Sequence, residues 1–202
     1  FRGAGSLSYE CMSCPEIKTA LFADGHGYQH LFIAPAAHDA WHLDADQFVL
    51  PNGTIMDYRC NSHGDGKNVF FSYMDGMAIH EFSTTTVVES IKQHVGAALK
   101  DYDYYVFHQA NRQIINTITT LLELDPAKVL ISLDQYGNTS AASALTTICH
   151  NLHDLDHPAH IFNASFGIGL NWGFSDFVIE PGTVSAIIET DHHFTEHCLK
   201  PV

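Results

Sequence analysis

Two short runs hold the residues of this chain best suited to chemistry, Phe107-His108-Gln109-Ala110-Asn111 and Gly137-Asn138-Thr139-Ser140-Ala141-Ala142-Ser143, and their first residues lie 30 positions apart. Each follows an apolar segment that reads as a strand and leads into a segment that reads as a helix. The imidazole of His108 and the carboxamide of Asn138, delivered from two strand-to-helix turns, can point N–H donors at a single oxygen atom. Two preorganised donors of that kind stabilise an enolate or oxyanion, the charge that develops during carbon–carbon bond chemistry. His108 need not act as a base for this, because a neutral imidazole donates from one nitrogen. No nucleophile accompanies the pair in a recognisable context.

The elements that must position these residues follow from periodicity. Gly5–Glu10 and Ile17–Phe22 read as short strands around Cys14-Pro15, and residues 23–75 form an irregular excursion punctuated by glycine and proline, with possible strands at Gln47–Leu50 and Thr54–Tyr58. Phe82, Val87, Val88, Ile91, Val95 and Leu99 recur at helical spacing and predict one helix of about five turns. Tyr104–Phe107 is a buried strand that ends at His108. Ile114, Ile115, Ile118, Leu121 and Leu122 mark the next helix, and Asp125-Pro126 is a cap and first-turn proline. Val129–Leu133 is a strand that ends near Asn138, and Thr139–Leu152 is a helix rich in small residues. Ala159–Ala164 is a strand, Gly167, Gly169 and Gly173 punctuate a return along Leu170–Glu180, and Val184–Glu189 reads as a last apolar strand. Alternating strands and helices in the second half predict an α/β layered sheet.

Bulk properties bound the function. A chain of 202 residues with 46% hydrophobic and 16% charged residues folds around a real core, as one domain. A formal net charge of −14, with only nine lysines and arginines, repels phosphate backbones and anionic lipid. Nucleic-acid and membrane-surface partners are therefore not expected. The first residue is Phe1, which suggests a processed or excised piece. Without a leader or a bilayer-length apolar run, the expectation is a soluble, cytoplasmic protein with reduced thiols at its five cysteines.

With His108, Asn138 and the turn Phe166-Gly167-Ile168-Gly169 in view, the chain resembles the C-terminal half of β-ketoacyl-acyl-carrier-protein synthase III, a thiolase-fold condensing enzyme. The carrying motifs are the strand-end His-Gln-Ala-Asn, the Gly-Asn-Thr-Ser-Ala-Ala-Ser helix start and a Phe-Gly-x-Gly-x-x-Trp-Gly loop, in that order. Met74-Asp75-Gly76 and Phe1-Arg2-Gly3-Ala4-Gly5 extend the likeness, which runs from Phe1 to about Ile179. It implies a thiolase-like layered fold with a mixed sheet flanked by helices. Residues 1–22 start the sheet of the half-domain, 23–75 are the excursion, 76–180 the core and 181–202 an extra tail.

The resemblance further implies that His108 and Asn138 donate to the thioester carbonyl of a malonyl unit. Phe166, Gly167, Ile168 and Gly169 form an oxyanion loop at the acyl-cysteine, Gly137 lets the chain turn before Asn138, and Gln109, Ala110 and Asn111 support the motif. Acyl-CoA and malonyl-acyl-carrier protein are the implied partners, with the N-terminal half of the same enzyme, in a homodimer without a cofactor. The family's nucleophilic cysteine belongs to that other half, so this chain alone is expected to be inactive. Departures are Ile168 at the position of the loop's middle glycine, Arg2 where an acid is usual, a longer excursion and a longer tail. They leave open a non-catalytic partner subunit or degenerate paralogue.

Plainer readings stand beside these. His108 can be a hydrogen-bonded histidine at a helix start, Asn138 a turn residue, and Phe166 a core residue. Cys11-x-x-Cys14, the His26/His30 pair and His193/His197 beside Cys198 have ligand spacing without a complete four-ligand signature, so no metal is expected. The spacing Gly167-x-Gly169-x3-Gly173 is not a dinucleotide fingerprint.

Overall fold

A computed structural model describes residues 17–35, 42–44, 47–49, 53, 55–57 and 70–189. The expected strand Gly5–Glu10, the Cys11/Cys14 pair and the His193/His197/Cys198 group lie outside the described residues. Strand β1 (Lys18–Ala23) falls one residue from its expected place and leads into a 3-10 turn capped by Asp24, whose carboxylate accepts the His26 N–H. Within the excursion, β2 (Leu31–Pro35) pairs with β6 (Phe70–Met74), and β3 (His42–Asp44), β4 (Gln47–Val49) and β5 (Ile55–Asp57) form a three-stranded antiparallel meander. The two strands expected there correspond to β4 and β5 over the described residues.

The single long helix is instead two: α1 (Gly76–Thr84) and α2 (Thr86–His94), followed by a 3-10 turn over Gly96–Asp101. The break has a local cause. Ser83 and Thr84 donate their hydroxyls to the His80 carbonyl, and Thr85 donates to that of Glu81 at 2.7 Å. Three consecutive hydroxyl residues thus compete for the helix's own carbonyl acceptors. Gly96, at φ +58°, then ends α2 in the left-handed conformation that suits glycine.

Next come β7 (Tyr104–Phe107), α3 (Arg112–Leu121), the two-residue β8 (Val129–Leu130), the single turn α4 (Leu133–Tyr136) and α5 (Ser143–Leu152). The Asp125-Pro126 cap is present, with the Asp125 carboxylate accepting the Ala127 N–H. The chain closes its sheet with the hairpin β9 (Ala159–Gly167) and β10 (Asn171–Ile179). Val184–Glu189 is not a strand: the chain turns at Pro181-Gly182, and Val184 packs on the core without a sheet partner while Ile188 stays exposed. It follows a strand already paired on both edges, so no neighbouring edge was open to it.

The main sheet is mixed, in the order β1-β10-β9-β7-β8, with β7 parallel to β8 and β9 and the other pairs antiparallel. The period-two alternation of its strands divides two cores. Tyr105, Phe107, Phe162, Ala164, Phe166 and Phe174 pack against Val87, Ile91, Ile115 and Ile118 of the helices on one face. Val106, Leu130 and Ile161 pack against Ile148 and Leu152 of α5 on the other. Fully burying such an aliphatic or aromatic side chain stabilises by roughly 1.5–3 kcal/mol, and this fixes β7 and β9 beneath the site described next. No helix among the described residues is long and apolar enough to cross a membrane.

Candidate active site

His108 follows the last residue of β7, and its backbone N–H continues the ladder by donating to Ala164 of β9 at 2.9 Å. Its half-buried ring meets Phe166 edge-on, with centroids 5.4 Å apart, and makes no hydrogen bond to any described residue. Burial holds its pKa below the ordinary 6.5, so at neutral pH the ring is a neutral imidazole with one N–H to give.

The residues after His108 each have a distinct task. Gln109 is completely buried; its amide donates to the Phe107 carbonyl at 2.8 Å, and its carbonyl accepts the Ser132 N–H at 3.1 Å. It therefore ties the end of β7 to the segment just past β8. Because the Ser132 N–H is spent on this side chain and not on a strand partner, β8 stops short of the expected Leu133. Ala110 lines the cavity. Asn111 caps α3, its carboxamide oxygen accepting the Ile114 N–H at 2.8 Å.

Asn138 reaches the same place from the other strand end. Gly137 sits at φ +64°, ψ −160°, a region that only glycine enters readily. Asn138 Oδ1 accepts the Ser140 backbone N–H at 2.9 Å and the Ser143 hydroxyl at 3.5 Å. A backbone N–H can only donate, so the atom facing it is the oxygen, and the carboxamide's Nδ2 is left without a partner among the described residues. Ser140 itself has φ +56°, and the start of the expected helix Thr139–Leu152 is consequently a 3-10 turn, with α5 beginning at Ser143.

His108 and Asn138 both line one cavity of about 1110 Å³. Its walls include Ile79, Phe82, Phe166 and Trp172, and the β9 residues Asn163, Ser165 and Gly167. It opens at the carboxyl ends of β7 and β9, where sheets of this kind present their ligand sites. Ile168 lines it as well and is 47% exposed. The Ile168 backbone is outside the left-handed region, so the departure from glycine there carries no conformational penalty. Phe166 is both core and cavity wall. Gly169, at φ +145°, shapes the turn without lining the cavity.

Sequence reasoning missed three features. Asn163 donates to Ser175 at 3.3 Å while its buried Oδ1 has no partner among the described residues. Ser132 and Thr147 are buried polar residues with hydroxyls 2.8 Å apart. Ser140 takes a positive φ outside glycine. The alternation of β9 would have placed Asn163 on the α5 face, whereas the other two have no local sequence signal.

Cys149, the one cysteine among the described residues, is half-buried on α5, and burial holds its thiol above the ordinary value. Nucleophilic cysteines are shifted the opposite way. His26 faces Asp24 and His30 faces Asp75, and among the described residues no three histidine, cysteine or acidic side chains converge as a metal site.

This geometry can be set beside known proteins. Residues 93–176 match the family described as 3-oxoacyl-[acyl-carrier-protein] synthase III, C terminal. That stretch holds both His108 and Asn138, and the chain is similar to the C-terminal part of that family. β-Ketoacyl-[acyl-carrier-protein] synthase III of Streptococcus equi is 34% identical over 164 residues, covering 76% of this chain and 50% of the relative. The synthase III of Streptococcus thermophilus is 32% identical over 178 residues, covering 85% and 55%. Among solved structures, a 3-oxoacyl-(acyl-carrier protein) synthase of Burkholderia xenovorans superposes with a TM-score of 0.64 at 24% identity, over 86% of this chain and 47% of that one. The Thermus thermophilus synthase III superposes at 0.55 with 26% identity, over 79% and 44%. The layered mixed sheet is thus the thiolase fold of the synthase III enzymes. The chain spans about half the length of the curated relatives it matches.

Proposed function

We propose that this chain is the C-terminal half of a 3-oxoacyl-acyl-carrier-protein synthase III-like acyltransferase. The enzyme performs a decarboxylative Claisen condensation between an acyl thioester and malonyl-carrier protein, in fatty acid or related biosynthesis in the cytoplasm. The N-terminal half supplies the cysteine that carries the acyl group from acyl-CoA, the whole enzyme is a homodimer, and residues 76–180 are the core of this half. The observation that supports the reading is the presence of His108 and Asn138 in one cavity, each with an N–H donor that no described residue occupies.

Loss of CO₂ from the malonyl unit leaves an electron pair delocalised onto its thioester oxygen. The N–H of neutral His108 and the Nδ2–H of Asn138 hold that oxygen, as preorganised donors aimed at the developing charge. The enolate carbon then attacks the acyl-cysteine carbonyl, a carbon–carbon bond forms, and the cysteine thiolate leaves. The turn Phe166-Gly167-Ile168-Gly169 faces the second oxyanion. In the full-length enzyme, His108→Ala is expected to abolish malonyl decarboxylation, measured as CO₂ release. Turnover equal to wild type would end the assignment.

A further inference from the structure

Between His108 and Asn138 runs a series of hydrogen bonds through buried polar side chains and the backbone groups beside them. Gln109 links the Phe107 carbonyl to the Ser132 N–H. The Ser132 hydroxyl lies 2.8 Å from that of Thr147, which itself donates to the Ser143 carbonyl at 2.8 Å. With the Thr147 proton committed to a carbonyl, Ser132 must be the donor between the two hydroxyls. The Ser143 hydroxyl accepts from Thr139 at 3.4 Å and donates to Asn138 Oδ1. Gln109, Ser132, Ser143 and Thr147 are 0%, 3%, 1% and 0% exposed. These four are more than half of the buried polar residues among those described, and they sit between the two strand ends that carry the donors. Buried polar groups are costly unless fully paired, and a fully paired network holds one arrangement.

We infer that this network fixes Asn138 relative to His108, and that Thr147, which does not line the cavity, is a positioning residue for the proposed reaction. The inference rests on the proposed function for its catalytic consequence, though not for its structural one. Thr147, itself on α5, ties that helix to the segment that follows β8 through Ser132, while its bond to the Ser143 carbonyl stays within the first turn of α5. Asn151 clamps the same helix to the Ile131 carbonyl at 3.2 Å, so α5 is held against that segment at two successive turns. Losing the Thr147 hydroxyl leaves the Ser132 hydroxyl buried without its acceptor and removes the tie nearer the start of α5, where Ser143 reaches Asn138.

Thr147→Val keeps the side-chain shape and removes the hydroxyl. In the full-length enzyme, its kcat for malonyl decarboxylation is expected to fall about tenfold with KM little changed, since small misplacements of a catalytic group have effects of this order. Hydrogen exchange at the Ser140 amide, which Asn138 Oδ1 holds, is expected to quicken, and Thr147→Ser to restore both values. Unchanged exchange, or faster exchange with wild-type kcat, overturns the inference. If Thr147→Val does not fold, Ser132→Ala removes the same contact from the other side and is read in the same two ways. His108→Ala measured in parallel separates the two claims. If it leaves decarboxylation intact, the proposed function falls, and the exchange at Ser140 alone decides whether the network holds Asn138.

Discussion

At the scale of single residues, the candidate site depends on which atoms are occupied and which are free. Asn138 spends its oxygen on the Ser140 N–H, and its Nδ2 has no partner among the described residues. Asn138→Asp presents oxygens in place of that N–H, and repels an enolate. Its expected effect on decarboxylation is a loss of about a hundredfold or more, the usual consequence of losing one oxyanion donor, and steady-state kinetics would show it. For His108, burial favours the neutral ring in the folded state, while the unfolded chain protonates near 6.5. The unfolded state therefore binds more protons as pH falls below that value, and this contribution to stability, complete above 6.5, is lost as pH drops toward the folded pKa. His108→Gln removes it, so the stability advantage of wild type over this variant is expected to shrink between pH 7 and pH 5, read by urea denaturation at each pH. An advantage that grows on acidification would mean that the ring is stabilised as a cation. The donors were legible in the sequence because the motifs name their residue types. The orientation of Asn138 was not, since it is set by Ser140 and Ser143, whose roles appear only once the turn is built.

At the scale of elements, the strand ends place the donors and a glycine and a glutamine adjust them. The Gly137 conformation is one that a Cβ resists, and nothing lies within 4 Å of where that Cβ would stand. Gly137→Ala therefore has a backbone cost alone, expected at about 1–3 kcal/mol, and chemical denaturation checks it. A loss well below that range would show that the turn relaxes freely. Hydrophobic periodicity revealed β7, α3, β9 and β10 because each buries a regular face. It failed where side-chain hydroxyls or amides captured backbone groups: at Ser83–Thr85, which split the expected helix, and at Ser132, which shortened β8. Apolar pattern alone also misread Val184–Glu189, because it cannot report whether a sheet edge is open.

At the scale of the whole molecule, Leu21, Met74 and Ile168 line the cavity yet are 81%, 61% and 47% exposed, with Met77 at 84% nearby in sequence. Apolar surface gathered around a cleft is characteristic of an interaction face. Purified alone, this chain is expected to self-associate, with Leu21→Asp reducing the association; a monodisperse monomer in sedimentation velocity would contradict that. The family was legible from three ordered motifs, whereas the mixed-sheet order followed only from the strand pairing. The most direct measurement is a crystal structure of the full-length enzyme with a non-hydrolysable malonyl-thioester analogue. One carbonyl oxygen of the analogue is expected within hydrogen-bond reach, about 2.7–3.1 Å, of both a His108 ring nitrogen and Asn138 Nδ2. An analogue whose carbonyl oxygen meets neither group, or that binds away from the cavity they line, would contradict the shared-oxygen geometry.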